Sequence, residues 1–170
     1  MGELLSNIAI LYLVIQEFAT MKAPNFSLPD KNNDTHTLTQ YVGKWIVVYF
    51  YPKDATPGCT KEACSFRDGR EVLEAAGAIV LGISKDSVAS HKKFAEAHKL
   101  NFTLLSDTTT ETIQAFGAWG KKKFMGREYE GILRNTYLIN PAGEILKTYE
   151  GVNPLTHVGE LLKDLKELSA

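Results

Sequence analysis

An α/β fold with a mixed central β-sheet flanked by helices is predicted for this 170-residue chain by three observations. Apolar runs rich in β-branched and aromatic residues alternate with stretches of helical periodicity. Two later apolar runs flank Asn140-Pro141-Ala142-Gly143, a hairpin turn signal, so the sheet is not purely parallel. The chain then closes on Leu155, Val158, Leu161, Leu162 and Leu165 at helical spacing.

The elements follow in order from Ala23. Ser27 to Asp34 is turn-rich, and Leu38 to Tyr41 suits a short helical turn. Trp45-Ile46-Val47-Val48-Tyr49-Phe50-Tyr51 is a continuous run without alternation, as expected of a strand buried on both faces. A helix is expected from about Thr60 to Ala76, closed by Gly77. Ala78 to Ile83 forms a second buried strand. Asp86 or Ser87 can cap the next helix, which runs through Phe94 and Ala97 towards Leu100. Phe102 to Leu105 reads as a third strand, and Thr109 to Trp119 as a third helix. Lys121-Lys122-Lys123 opens a charged loop. Ile132 to Ile139 and Glu144 to Tyr149 are the hairpin strands, and Pro154 opens the last helix.

Composition narrows the function. With 44% hydrophobic residues the chain carries enough apolar material for one core, so one domain is expected. Lys+Arg 19 against Asp+Glu 20 gives a net charge of -1, which argues against a nucleic-acid binder with a broad basic face. The first twenty residues differ from the rest. Their apolar run, Ile8 to Ile15, is too short to span a bilayer, which takes about 20 residues. No Lys or Arg precedes Lys22 to mark a secretory leader. Residues 1–20 are therefore read as an extension and 21–170 as the domain, with no membrane partner.

Two cysteines are too few for a disulfide scaffold or a thiolate zinc site, so no metal is expected. Both fall in one short segment, Cys59 and Cys64, which fits a reducing, cytoplasmic setting where such a pair acts chemically. Thr56 suits an N-cap and Pro57 the first helical position. Cys59 then lies in the first turn, where free N–H groups and the helix dipole favour an anion. The thiolate is the reactive form of cysteine. Cys59, Phe66 and Leu73 recur every seven residues, so Cys59 shares the inward face. The bland reading is that both cysteines are small core hydrophobes. A C-x-x-C oxidoreductase is excluded, because the two are five apart.

The run Tyr49-Phe50-Tyr51-Pro52 through Thr56-Pro57-Gly58-Cys59-Thr60 to Ala63-Cys64 resembles the peroxiredoxins, in particular the bacterioferritin comigratory protein (PrxQ) subgroup. Pro52, Thr56 and Cys59 match the family motif, and Cys64 falls where the subgroup carries its resolving cysteine. The resemblance extends from about Ala23 to the C-terminal helix. It takes in Leu81-Gly82-Ile83-Ser84, Phe102 to Asp107 and Phe116 to Gly120. It implies a thioredoxin-like fold.

A thiolate needs a cation beside it, and the chain has four arginines: Arg67, Arg70, Arg127 and Arg134. Arg134 lies within the apolar run Ile132 to Ile139, where a guanidinium needs a partner. That ranks it first, and the family's active-site arginine falls on the same residue. The competing reading is an edge-strand arginine facing water. His36, His91, His98 and His157 are scattered and read as surface residues. Asp54 and Glu62 read as solvated, or paired with Lys53, Lys61 or an arginine. Tyr49, Tyr51, Phe66, Phe116 and Trp119 read as core or pocket wall.

The resemblance implies a peroxidase in which Cys59 attacks a hydroperoxide and Arg134 stabilises charge. It further implies that Thr56 orients the peroxide, that Pro52 shields the sulfur, and that Cys64 forms a disulfide with Cys59. The expected reductant is thioredoxin or a similar dithiol, with no cofactor. A monomer is expected, with a dimer as the alternative. Two other classes compete: a thioredoxin-fold redox sensor that signals through the same disulfide, and a domain with two inert core cysteines.

Overall fold

The computed structural model describes residues 20–170. All but the last residue of the proposed extension lie outside the described residues, including the run Ile8 to Ile15. The elements are β1 (Met21–Lys22), β2 (Ser27–Pro29), β3 (Thr35–Thr37), a 3₁₀ turn (Leu38–Tyr41), β4 (Trp45–Phe50) and α1 (Pro57–Ala75). They continue with β5 (Ala78–Ser84), α2 (Val88–His98), β6 (Thr103–Ser106), α3 (Glu111–Ala115), β7 (Trp119–Phe124) and β8 (Arg127–Ile132). The chain ends with β9 (Thr136–Ile139), β10 (Glu144–Tyr149) and α4 (His157–Leu168).

Six strands form the central sheet in the order β1-β10-β9-β4-β5-β6. β4, β5 and β6 are parallel, while β9 runs antiparallel to β4 and β10 to β9. The sheet is therefore mixed, with the hairpin half and the parallel half meeting at β4. Side chains of β4 alternate across it. Val47, Tyr49 and Tyr51 face one core with Phe66 and Leu73 of α1, Phe94 of α2, and Leu161 and Leu165 of α4. Ile46, Val48 and Phe50 face the other, with Leu28, Leu38, Ile113 and Phe116. A strand covered on both faces must be apolar throughout, which is why β4 shows no alternation in sequence.

Several expectations change. α1 begins at Pro57 with Thr56 as its N-cap, as the cap signal has it and three residues before the Thr60 start that the helix pattern gave. The third helix ends at Ala115 instead of Trp119: Gly117 takes φ +77 and turns the chain into β7. The lysine run is strand, not loop. In the β7–β8 ladder Lys121 stands opposite Glu130 and Lys123 opposite Glu128, so the register sets opposite charges face to face across it. The run Ile132 to Ile139 is interrupted at Leu133–Asn135, where the Asn135 N–H donates to the Leu133 carbonyl at 2.9 Å. Arg134 therefore sits in a sharp connection between β8 and β9, not inside a strand. α4 starts at His157, since the Asn153 carbonyl takes the N–H groups of Thr156 and His157 and makes Pro154 to Thr156 a turn.

Gly82 lies where β5 passes under Tyr49. A Cβ there would stand 2.8 Å from the Tyr49 ring and from Leu104 Cδ2, both inside the core. Gly82→Ala should cost about 1–3 kcal/mol through overpacking. Equilibrium denaturation checks this, and an unchanged midpoint would refute the steric reading.

Candidate active site

The site is assembled where β4 hands the chain to α1. Tyr51 leaves the sheet, residues 52–56 cross its end, and Thr56 caps the helix with extended backbone. Pro57 and Gly58 fill the first two helical positions, so Cys59 is the third, inside the unsatisfied first turn. Its side chain points inward and is 1% exposed. Cys64 lies on the same uninterrupted helix and is half-buried; both thiols are free.

Arg134 reaches the first turn of α1 from the β8–β9 connection. Its carbonyl accepts from the Val152 N–H at 3.1 Å, and the next carbonyl, that of Asn135, accepts from Phe50 N–H at 2.8 Å. These bonds pin the connection to β4 and to the segment after β10. The guanidinium Nη2 donates to Cys59 Sγ at 3.4 Å, and Nη1 donates to Glu62 Oε2 at 2.5 Å. Gly58 permits this approach, since a Cβ there would stand 3.2 Å from Nη2.

Glu62 is not a solvated neighbour. It is 1% exposed, and its Oε1 has no hydrogen-bond partner among the described residues. Burial raises its pKa to about 7 even though the charge and hydrogen bond of Arg134 pull it down. Burial alone would lower Arg134, but the charges of Glu62 and Cys59 and the hydrogen bonds to both raise it overall.

Thr56 and Pro52 are half-buried beside the first turn. The Thr56 hydroxyl makes no cap; it donates to the Lys53 carbonyl at 3.0 Å, leaving its oxygen lone pairs open to a donor. Of the other arginines, Arg67 binds Asp68 and the His98 carbonyl and Arg70 binds Glu74. Arg127 opens β8. The structure brings only Arg134 among the four to the sulfur.

Sequence reasoning passed over two features. Lys122, on the charged hairpin, turns its Nζ to the Ile132 carbonyl at 2.9 Å, and burial together with the Arg134 charge lowers its pKa. It shares with Arg134, Leu133 and Val152 the wall of a cavity of about 530 Å³. Second, two histidines expected at the surface are buried. His157 meets Thr136 Oγ1 at 2.8 Å, and His91 meets Asp54 Oδ2 at 2.9 Å. Asp54 is likewise buried and takes no lysine or arginine. These partners lie 21 and 37 residues away in the chain, and no local pattern reports them. No group of three or more His, Cys, Asp or Glu side chains suited to a metal ion occurs among the described residues.

A mixed sheet that delivers a cysteine to a helix N-terminus beside an arginine defines a thiol-chemistry class on a thioredoxin-like scaffold. The AhpC/TSA family model matches residues 19–148, and the chain belongs to that family. Within it, the relatives are peroxiredoxins of the Bcp/PrxQ group. Peroxiredoxin Bcp of Bacillus subtilis (strain 168) is 46% identical over 148 residues, covering 87% of this chain and 94% of the relative. Peroxiredoxin Bcp of Escherichia coli (strain K12) is 46% identical over 145 residues, covering 85% and 93%. Among solved structures, the bacterioferritin comigratory protein of Xanthomonas campestris, studied for alkyl peroxide reduction activity, superposes with TM-score 0.81 at 34% identity, covering 85% of this chain and 92% of that one. A Xylella fastidiosa PrxQ variant gives 0.82 at 34%, covering 89% and 95%. The family places this chain among thiol peroxidases with an antioxidant function.

The Glu62 shift makes a signed prediction. Its pKa rises from 4.5 to about 7 on folding, so the folded state binds the extra proton. The stability this contributes is complete below about 4.5 and is lost as pH climbs through 7. Glu62→Gln does not titrate. Its stability relative to the parent should therefore improve by on the order of 1–3 kcal/mol between pH 5 and pH 8. Denaturation of both proteins at the two pH values checks this, and a constant difference would refute it.

Proposed function

We propose that the chain reduces hydrogen peroxide and organic hydroperoxides through Cys59. The single observation supporting this most strongly is the Cys59 Sγ in the first turn of α1, 3.4 Å from Arg134 Nη2. The thiolate attacks the terminal peroxide oxygen. An S–O bond forms as the O–O bond breaks, and the sulfur loses two electrons to become sulfenic acid. The departing oxygen gains those electrons and a proton and leaves as water or an alcohol. Arg134 and the free N–H groups stabilise the thiolate and the charge growing on the leaving oxygen. Because the Thr56 proton is committed to Lys53, its hydroxyl oxygen accepts from the peroxide O–H and orients it. Pro52 covers the sulfur. The alkyl peroxide activity of the Xanthomonas campestris relative supports organic hydroperoxides as substrates.

Cys64 then displaces hydroxide from the sulfenic acid, giving the Cys59–Cys64 disulfide and water. A dithiol protein of the thioredoxin type reduces it by exchange and is itself oxidised. The protein works in the cytoplasm as a monomer in redox homeostasis. No described helix is long and apolar enough to cross a membrane.

Cys59→Ser should abolish peroxide consumption in a coupled assay, since a hydroxyl cannot replace the thiolate. Arg134→Ala should slow Cys59 oxidation at least tenfold, with Arg134→Lys recovering only part. A Cys59→Ser protein that keeps most of its activity would end the reading. An unchanged oxidation rate in Arg134→Ala would release the arginine from its role.

The two sulfurs cannot meet on an intact helix. Five residues of helix separate the Cα atoms by about 8.6 Å, against ~4.4–6.8 Å for a disulfide. The first turns of α1 should therefore unwind after sulfenic acid forms. Oxidation should lower helicity and speed amide exchange from Cys59 to Phe66. Cys64→Ser should keep the helix and accumulate sulfenic, then sulfinic, acid. Exchange and circular dichroism check this; a disulfide formed with no change in either would refute the unwinding.

A further inference from the structure

The segment from Pro52 to Thr56 holds a residue in an unfavourable backbone state. Ala55 takes φ +60, the left-handed region that a Cβ disfavours, immediately before the cap of α1. Such a conformation persists only when its surroundings over-determine it. Asp54 supplies the constraint. Its N–H donates to Asp86 Oδ2 at 2.9 Å, and its Oδ1 accepts from the Tyr51 hydroxyl at 2.7 Å. Its Oδ2 accepts from Ser90 Oγ at 2.8 Å and from His91 Nδ1 at 2.9 Å.

His91 is fully buried near the start of α2. Its Nε2 lies 3.1 Å from the Leu105 carbonyl. Its Nδ1 faces Asp54 Oδ2. The ring thus bridges the Leu105 carbonyl of β6 to the Asp54 carboxylate. Burial would push the Asp54 carboxyl up, but the His91, Tyr51 and Ser90 contacts hold it below the usual range. Among the described residues no hydrogen bond links this network to Cys59 or Arg134, and the mechanism above gives it no role.

We propose that Asp54 and His91 are a positioning pair that fastens the 52–56 segment to α2 and β6, holding the first turn of α1 in the wound, peroxide-reactive form against the unwound, disulfide-forming one. The inference rests on the reading of Cys59 as the peroxidatic residue. Thr56 and the first-turn N–H groups follow Ala55 directly, so the turn that carries them is set from outside the helix that must open. Loosening the pair lets Ala55 leave the left-handed region, and the cap and first turn move with it. The pair therefore sets how sulfenic acid divides between disulfide and over-oxidation.

The test uses His91→Gln and Asp54→Asn in the full chain, with hydrogen peroxide as the probe. Cys59 attack is timed by rapid quench and mass analysis in a Cys64→Ser background. Disulfide and sulfinic products are timed with Cys64 present, well below the melting temperature of each variant. Each substitution should slow attack at least fivefold, speed disulfide formation at least twofold and lower the sulfinic fraction. The double variant should add little to either single one, as for partners in one interaction. A purely structural pair would lower the melting temperature and leave the division of products alone, which overturns the proposal, as does slower attack without faster disulfide formation. Should either variant fail to fold, Ser90→Ala removes one donor to the same carboxylate oxygen and should shift the division in the same direction, about twofold. An unchanged division there is equally fatal. If the parent protein itself shows no Cys59 oxidation, the peroxidase reading falls, and this inference with it.

Discussion

The site depends on one guanidinium shared by two buried groups. Arg134 spans Glu62 Oε2 and Cys59 Sγ, one helical turn apart on the inner face of α1. A carboxylate buried next to a sulfur would by itself oppose a second negative charge. With Arg134 between them, the cation offsets both, and the carboxylate fixes the guanidinium so that its other nitrogen faces the sulfur. Removing either partner would leave a half-buried cation with fewer contacts, and removing the cation would leave a buried carboxylate unpaired. The unsatisfied Oε1 of Glu62 and its raised pKa show that the compensation is incomplete. Retaining a group that costs stability in the core is what a site under chemical constraint looks like.

Delivering that guanidinium is the work of the mixed sheet. Among the described residues, β4 alone pairs parallel to one neighbour and antiparallel to the other. Its end launches α1, and its last residue, Phe50, is held by the Asn135 carbonyl of the β8–β9 connection. Cysteine and arginine, 75 residues apart in the chain, are thus referred to the same strand end. Gly58 completes the fit by leaving room where any side chain would press on Arg134.

The parts of this arrangement legible in the sequence are those written locally. The apolar run of β4, the Thr56-Pro57 start of α1 and the inward periodicity of Cys59, Phe66 and Leu73 each follow from neighbours within a few residues. The charged hairpin was not legible, because its lysines and glutamates read as solvated surface until the register that sets them opposite one another is known. The break at Leu133–Asn135 was hidden by its apolar flanks, although Arg134 itself stood out as a charge among them. The burial of Glu62, Asp54, His91 and His157 depends on partners from other elements. A histidine has no sequence signature for being enclosed.

Two demands compete in α1. In the proposed mechanism, attack on peroxide needs Cys59 in a wound first turn, where Arg134 Nη2 stands 3.4 Å from the sulfur. The proposed disulfide needs that turn undone, because the helix holds Cys64 too far along and too far round. A helix stabilised uniformly would serve the first step and block the second. Here stability is distributed unevenly. Further along α1, Phe66 and Leu73 are buried in the core, and Gly69 lies so close to Val158 of α4 that a Cβ would stand 2.6 Å from it. The first turn lacks such anchorage: Pro57 is exposed, Gly58 carries no side chain, and the N-cap hydroxyl makes no capping bond. What holds this turn comes from beyond it, through Arg134 on one side and the Asp54 segment on the other. In the proposed mechanism, oxidation of Cys59 to a neutral sulfenic acid removes the charge that a reacting thiolate would present to Arg134. On the proposed reading, the first chemical step thereby weakens one of the two restraints on the turn that the second step must open.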